Sequence, residues 1–98
     1  MELRHLRYFV AVAECGSISR AAEELFIAQP PLSVQIRQLE DELGTPLLIR
    51  YPRGVRLTSA GELFLREAKD LLARADRAKR LAHGINNAEG GQLRIGFI

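Results

Sequence analysis

A mainly α-helical fold is predicted by three features of this 98-residue chain. Residues 19–43 hold two short amphipathic segments joined by a tight break, the second opened by the Pro30-Pro31 pair. Residues 47–57 read as two short strands around the turn-like run Tyr51-Pro52-Arg53-Gly54. From Thr58 a helical pattern continues for about thirty residues, which is roughly 45 Å of helix at 1.5 Å per residue. The order is that of a winged helix-turn-helix followed by a long dimerising linker helix.

The elements can be justified in turn. Leu3, Leu6, Phe9, Val10 and Ala13 recur at helical spacing, so residues 3–14 form an amphipathic scaffold helix that closes near Gly16. Ser17 or Ser19 can cap the second helix, whose Ala21, Ala22 and Leu25 are small enough for its neighbours to approach closely. Pro30 and Pro31 are tolerated at the start of the third helix because first-turn amides have no partner within a helix. At about 100° per residue, Leu32, Ile36, Leu39 and Leu43 cluster on one side of this helix, while Pro30, Ser33, Val34, Arg37 and Gln38 point the opposite way. A helix enters a major groove only if one face packs on its domain and the other stays small, polar or basic, and this helix meets that demand. Gly44 stops it and Pro46 follows.

Charge distribution matters more than the net charge of +2. Within residues 1–57, Arg4, Arg7, Arg20, Arg37, Arg50, Arg53 and Arg56 are balanced by Glu2, Glu14, Glu23, Glu24, Glu40, Asp41 and Glu42. The last three arginines fall in a run without an acid, so a local positive potential is expected there that suits phosphates. Arg53, at the tip of the wing, reads on composition alone either as a solvated turn residue or as a DNA contact, and its place beside a helix-turn-helix favours the second, since a flexible Arg can enter a narrow minor groove.

Along the long helix, Phe64, Ala68, Leu71, Ala75, Ala78, Ala82 and Ile85 recur at alternating spacings of four and three, a heptad seam. The first three helices are expected to be too short to cover it, so the seam is assigned to dimerisation, and its alanines imply close helix approach. Gly84, Asn86, Asn87 and Gly90-Gly91 are expected to end this helix and form a hinge. Residues 92–98 then begin a strand, and one strand is no domain, so the chain is expected to be the N-terminal piece of a longer protein. The domain reading is 1–57 for the winged helix-turn-helix, 58–88 for the linker helix, and 89–98 for the hinge and first strand of a following domain.

Composition excludes several classes. With 47% hydrophobic and 27% charged residues the chain is too apolar to be disordered. No run approaches the roughly 18 apolar residues of a membrane span, and the start Met-Glu-Leu-Arg lacks a signal-peptide layout, so the expected location is cytoplasmic with no membrane partner. The single Cys15 builds neither an internal disulfide nor a metal site, and His5 and His83 have no carboxylate or thiol at metal spacing. No carboxylate pair in a pocket motif, no phosphate loop and no nucleophilic Ser constellation occurs, so no catalytic residue is assigned.

The opening run Leu3-Arg-His-Leu-Arg-Tyr-Phe-Val-Ala-Val-Ala-Glu14, then Gly16-Ser17-Ile18, Ala21-Ala22, Gln29-Pro30, Leu32-Ser33, Leu39-Glu40, Leu43-Gly44, Arg50, Arg53 and Leu57-Thr58-Ser-Ala-Gly61 resembles the N-terminal domain of LysR-type transcriptional regulators. The likeness covers residues 1 to about 88, and Ile27-Ala-Gln-Pro-Pro-Leu-Ser33 further resembles the branch that controls aromatic-compound degradation. It implies a homodimer on double-stranded DNA, paired through the linker helix and reading an imperfect inverted repeat. It also implies a small-molecule inducer bound by a C-terminal domain, no cofactor in the present residues, and room for a higher oligomer and for RNA polymerase as a partner.

By that resemblance Gln29, Pro30, Ser33 and position 34 face the major groove and Arg53 the minor groove. The candidate DNA-contacting set is Gln29, Pro30, Pro31, Ser33, Val34, Arg37, Arg50 and Arg53. Gln29 suits adenine, and Pro30 offers apolar contact to a thymine methyl. Two positions depart from the resemblance. Val34 stands where the branch often has Arg, exchanging a charged contact for an apolar one. Ala28 stands where Ser is common, which removes a side-chain cap worth on the order of 1 kcal/mol. The rival reading is a helical protein-interaction module without direct DNA readout, and a steep loss of duplex affinity with salt separates the two.

Overall fold

The computed structural model describes residues 1–88, with side chains described through Gly84. The order is α1 (Leu3–Cys15), α2 (Ile18–Leu25), α3 (Gln29–Leu43), β1 (Leu48–Tyr51), β2 (Gly54–Leu57) and α4 (Ser59–Ala88). The mainly helical winged helix-turn-helix with a long final helix is therefore what the chain adopts.

The helix ends show why these boundaries hold. The Glu2 amide, one of the orphan donors before α1, donates to Nδ1 of His5 at 3.0 Å, so His5 has a local structural task. Ser17 rather than Ser19 caps α2, its Oγ accepting the Arg20 amide at 3.3 Å. Ala28 offers α3 no side-chain cap, and the prolines fall in the first turn. At the far end of α3, Gly44 has φ 75°, and the amides of Gly44 and Thr45 return to the carbonyls of Asp41 and Glu40, each at 3.2 Å. Thr58 caps α4: its Oγ1 accepts the Gly61 amide at 2.9 Å and donates to the Pro46 carbonyl at 2.8 Å.

α4 runs through Gly84 to Ala88, so Gly84, Asn86 and Asn87 do not end it. A glycine inside a helix costs only about 1 kcal/mol relative to alanine, too little to break a helix supported on both sides. The expected Gly90-Gly91 hinge and the strand at 92–98 lie outside the described residues, as does the side chain of Ile85.

α1 is the hub. Leu6, Phe9 and Val12 are buried against Ala21 and Ala22 of α2, Leu32, Ile36 and Leu39 of α3, Leu47 and Leu48 at the wing base, and Ala68 of α4. Each fully buried large side chain contributes about 1.5–3 kcal/mol. Val12 joins the core although the sequence pattern omitted it, while Leu3 and Leu43 lie exposed at its rim.

The strands pair antiparallel from Leu48↔Leu57 to Tyr51↔Gly54, leaving Pro52-Arg53 as a two-residue tip. The wing sits tightly against the helices. The Gly16 carbonyl accepts the Val55 amide at 3.0 Å, and a Cβ on Gly54 would meet that same oxygen at 2.5 Å. A Cβ on Gly61 would collide with the Leu47 carbonyl, so α4 starts flush with the wing base.

The first half of the expected dimerisation seam on α4 is covered within the chain. Phe64 stacks on Phe9 with ring centroids 5.5 Å apart, Ala68 is fully buried, Leu65 and Leu72 pack against the same core, and Lys69 pairs with Glu14. α1 is thus long enough to cover the first half of the seam, and Phe64 and Ala68 belong to the chain's own core.

Phe26 closes α2 in the position where glycine is usual. Its φ is 58°, its amide returns to the Glu23 carbonyl at 3.2 Å, and the next amide, Ile27, reaches Ala22 at 3.0 Å. The left-handed conformation costs a side-chain-bearing residue roughly 1–2 kcal/mol, and a ring that is 93% exposed returns nothing in packing. Phe26→Gly should therefore stabilise the chain by about 0.5–1 kcal/mol, net of glycine's entropy cost. Thermal melting followed by circular dichroism checks this, and an unchanged or lower midpoint contradicts it.

Candidate nucleic-acid interface

The outward face of α3 is built by its inward one. Because Leu32, Ile36 and Leu39 are buried, the residues between them are forced outward. Gln29, Pro30 and Pro31 are exposed in the first turn, Val34 is 52% exposed one turn on, and Arg37 and Gln38 are exposed beyond it. Ser33 is half-buried. The first turn also presents amides without internal partners, uncovered by any capping side chain at Ala28.

The wing stands beside that turn. A cleft of about 270 Å³ lies between them, lined by Gln29 from α3, by Ser17 and Ser19 at the start of α2, and by Arg50, Tyr51 and Arg53 from the wing. The structure thus brings Gln29 and Arg53, 24 positions apart in sequence, onto one concave surface. The sequence marks Ser17 and Ser19 only as candidate helix caps. Their hydroxyls are 3.1 Å apart at the α2 N-terminus, which adds donors on the same side as Arg53.

The three arginines of the acid-free run have separate environments. Arg53 is exposed at the tip, and no ion pair engages it among the described residues. The Arg56 guanidinium lies over the Tyr51 ring, 5.9 Å from its centroid, on the outer wing face. Arg50 departs most from the expectation of a free phosphate contact. Its Nη2 donates to Oε1 of Glu40 at 3.2 Å, and its Nη1 is buried without a hydrogen-bond partner. The other Glu40 oxygen accepts the amides of Leu47 at 2.8 Å and Leu48 at 3.0 Å. Arg50 therefore serves an internal ion pair, and the positive charge of the run is smaller than its composition suggests.

The seam residues left free by the core are Leu71, which is 44% exposed, half-buried Ala75, and exposed Ala78 and Ala82. They form an apolar, mostly small-residue strip along the outward side of α4.

No group of three His, Cys, Asp or Glu residues gathers to hold a metal among the described residues, and no described helix is long and apolar enough to cross a membrane. Burial pushes the Cys15 thiol above its ordinary range, and the hydrogen bond and negative charge of Glu24 push it further. Less thiolate means a slower nucleophile. Cys15 is therefore expected to react with iodoacetamide at pH 7.5 more slowly than free cysteine, and Glu24→Gln should speed it modestly because burial remains. Alkylation rates by mass spectrometry decide, and a Cys15 faster than free cysteine contradicts the assignment.

Residues 3–62 match the family model of the bacterial regulatory helix-turn-helix protein, lysR family. The chain is 55% identical over 97 residues to the HTH-type transcriptional regulator BudR of Klebsiella aerogenes, covering 99% of this chain and 68% of that protein. It is also 55% identical over 98 residues to the Hca operon transcriptional activator HcaR of Escherichia coli (strain K12), spanning only 33% of that protein's length. Among solved structures, the BenM DBD/catB site 1 DNA complex matches with a TM-score of 0.85 at 51% identity, over 88% of this chain and 97% of that one. The CbnR DBD-DNA complex matches with a TM-score of 0.83 at 44% identity, over 86% and 97% of the two chains.

Proposed function

Because the chain belongs to the lysR family of bacterial regulatory helix-turn-helix proteins, its helix-turn-helix is a DNA-binding unit of a transcription regulator, and we propose that it reads a promoter as a homodimer. Each protomer lays α3 in the major groove of one half of an imperfect inverted repeat, with Gln29, Pro30, Pro31, Ser33, Val34 and Arg37 toward the bases and their flanking backbone. Arg53 enters the adjoining minor groove. The observation that carries this reading is the cleft that Gln29 and Arg53 both line. That BenM and CbnR domains of the same fold are known in complex with DNA supports it.

In this reading residues 1–57 contact DNA and residues 58–88 hold two copies together through Leu71, Ala75, Ala78 and Ala82. Residues 89–98 lead into a further domain that binds a small-molecule inducer. The operon served belongs to aromatic-compound degradation, the branch whose Ile27–Ser33 phrase this chain shares. A regulator of this kind works in the cytoplasm, where it meets both the promoter and RNA polymerase.

Major-groove and minor-groove contacts differ in what they read. Gln29→Ala should relax preference at one position of each half-site, costing about 1–3 kcal/mol on the preferred base. Arg53→Ala should weaken binding chiefly where the flanking minor groove is narrow and A·T-rich. Binding curves on single-base operator variants, selected first from random duplexes and measured at one salt concentration, test both. Equal loss on every sequence for Gln29→Ala, or no loss anywhere for Arg53→Ala, refutes this division.

Leu71→Glu or Ala82→Glu should weaken dimerisation, since a carboxylate would be stripped of water between packed helices. Sedimentation equilibrium reads this directly. A dimer mass unchanged in both variants places the seam on another face.

A further inference from the structure

Glu40 stands on α3 in angular register with Gln29 and Ser33 but about three turns beyond the first, and its side chain is only 13% exposed. Both of its oxygens are committed to the wing: Oε2 to the Leu47 and Leu48 amides at the entry to β1, and Oε1 to Arg50 in the middle of that strand. A carboxylate holding two successive amides and a guanidinium fixes position and direction together, because each bond restricts a different displacement. The wing's other attachments are to other parts of the chain: the Val55 amide on the Gly16 carbonyl at the turn between α1 and α2, Thr58 on the Pro46 and Leu47 carbonyls, and Leu48 in the core. The turn after α3 contributes no comparable tie, since its Gly44 and Thr45 amides are consumed in closing α3 itself.

We infer that Glu40 is a positioning residue for DNA recognition, setting where Arg53 stands relative to the recognition face of α3, with Arg50 as its counterpart rather than as a phosphate contact. The inference rests on the reading of this surface as a DNA interface. The carboxylate touches no DNA, yet it decides whether the major-groove and minor-groove contacts of one protomer are in register with a single duplex. Without it, α3 keeps its base preference because Gln29, Ser33 and Val34 are held by the separate core contacts of Leu32 and Ile36. The wing then samples positions from which Arg53 misses the groove.

The test is a double-mutant cycle on the 98-residue chain, read by fluorescence anisotropy. It uses duplexes carrying the selected half-sites with either an A·T-rich or a G·C-rich flank. Glu40→Gln keeps the shape but loses the ion pair, and it should weaken binding about tenfold on the A·T-rich flank, the size of one lost charge-assisted contact. Base preference within the half-site should stay as in the unaltered chain. In an Arg53→Ala background the same substitution should have little further effect, because the contact it aligns is gone.

Arg50→Lys is the second variant and covers the case in which Glu40→Gln fails to fold. It keeps the positive charge that a phosphate contact would need but not the planar fork that fits Glu40. The inference expects the flank-selective loss from Arg50→Lys as well. Retained affinity in Arg50→Lys, losses from Glu40→Gln and Arg53→Ala that simply add, or relaxed base preference in Glu40→Gln would each overturn it. If the unaltered chain bound no duplex of the panel, the DNA reading itself would fall, and the two failures are thereby distinguished.

Discussion

The carboxylate of Glu40 joins the two parts of the chain that the interface combines. α3 is held by the core through Leu32, Ile36 and Leu39, whereas a two-stranded hairpin of four residues per strand has too little surface to fix its own position. Its place has to come from outside the hairpin. Two amides and a guanidinium on one nearly buried carboxylate supply that at the base, and hydrogen bonds to a charged group contribute about 1.5–3 kcal/mol each. The close approach of Gly54 to Gly16 supplies it near the tip. The remaining architecture, from the cleft to the seating of α4 on Leu47, presupposes a wing in that position.

Much of this was legible in the sequence where the cause was local. The two faces of α3 follow from helical periodicity, the hairpin from Tyr51-Pro52-Arg53-Gly54, and the start of α4 from a hydroxyl residue followed by helix formers. What escaped depended on contacts across elements. Arg50 looked free because the acid that neutralises it lies ten positions upstream on the far side of a helix end. Phe64 and Ala68 looked like part of a continuous seam because periodicity marks an apolar face without saying which neighbour covers it. Val12 was passed over for the same reason, since α1 is surrounded by neighbours and its buried arc is wider than one stripe.

Phe26 escaped for a different reason. A left-handed helix end is usually announced by Gly or Asn, and here the backbone adopts it under an aromatic side chain. Two return hydrogen bonds and the partial burial of Ile27 against the core hold the turn in spite of the residue. Tertiary context has overridden local preference, which also explains how α3 begins without a capping side chain at Ala28. The helix-turn-helix is stabilised from its interior, leaving the identities of its outward residues largely unconstrained by folding.

α4 behaves as a lever with a short socket. Among the described residues, its first four turns touch the rest of the chain, through Gly61, Phe64, Ala68 and Leu72, while the helix continues to Ala88. Beyond Leu72 about 24 Å of helix projects at 1.5 Å per residue. A tilt of about 5° at the socket becomes a shift of about 2 Å at the far end, comparable to the H···O length of a hydrogen bond. Volume changes at those root positions are thus amplified along the rod and can alter the span between whatever is attached at its two ends.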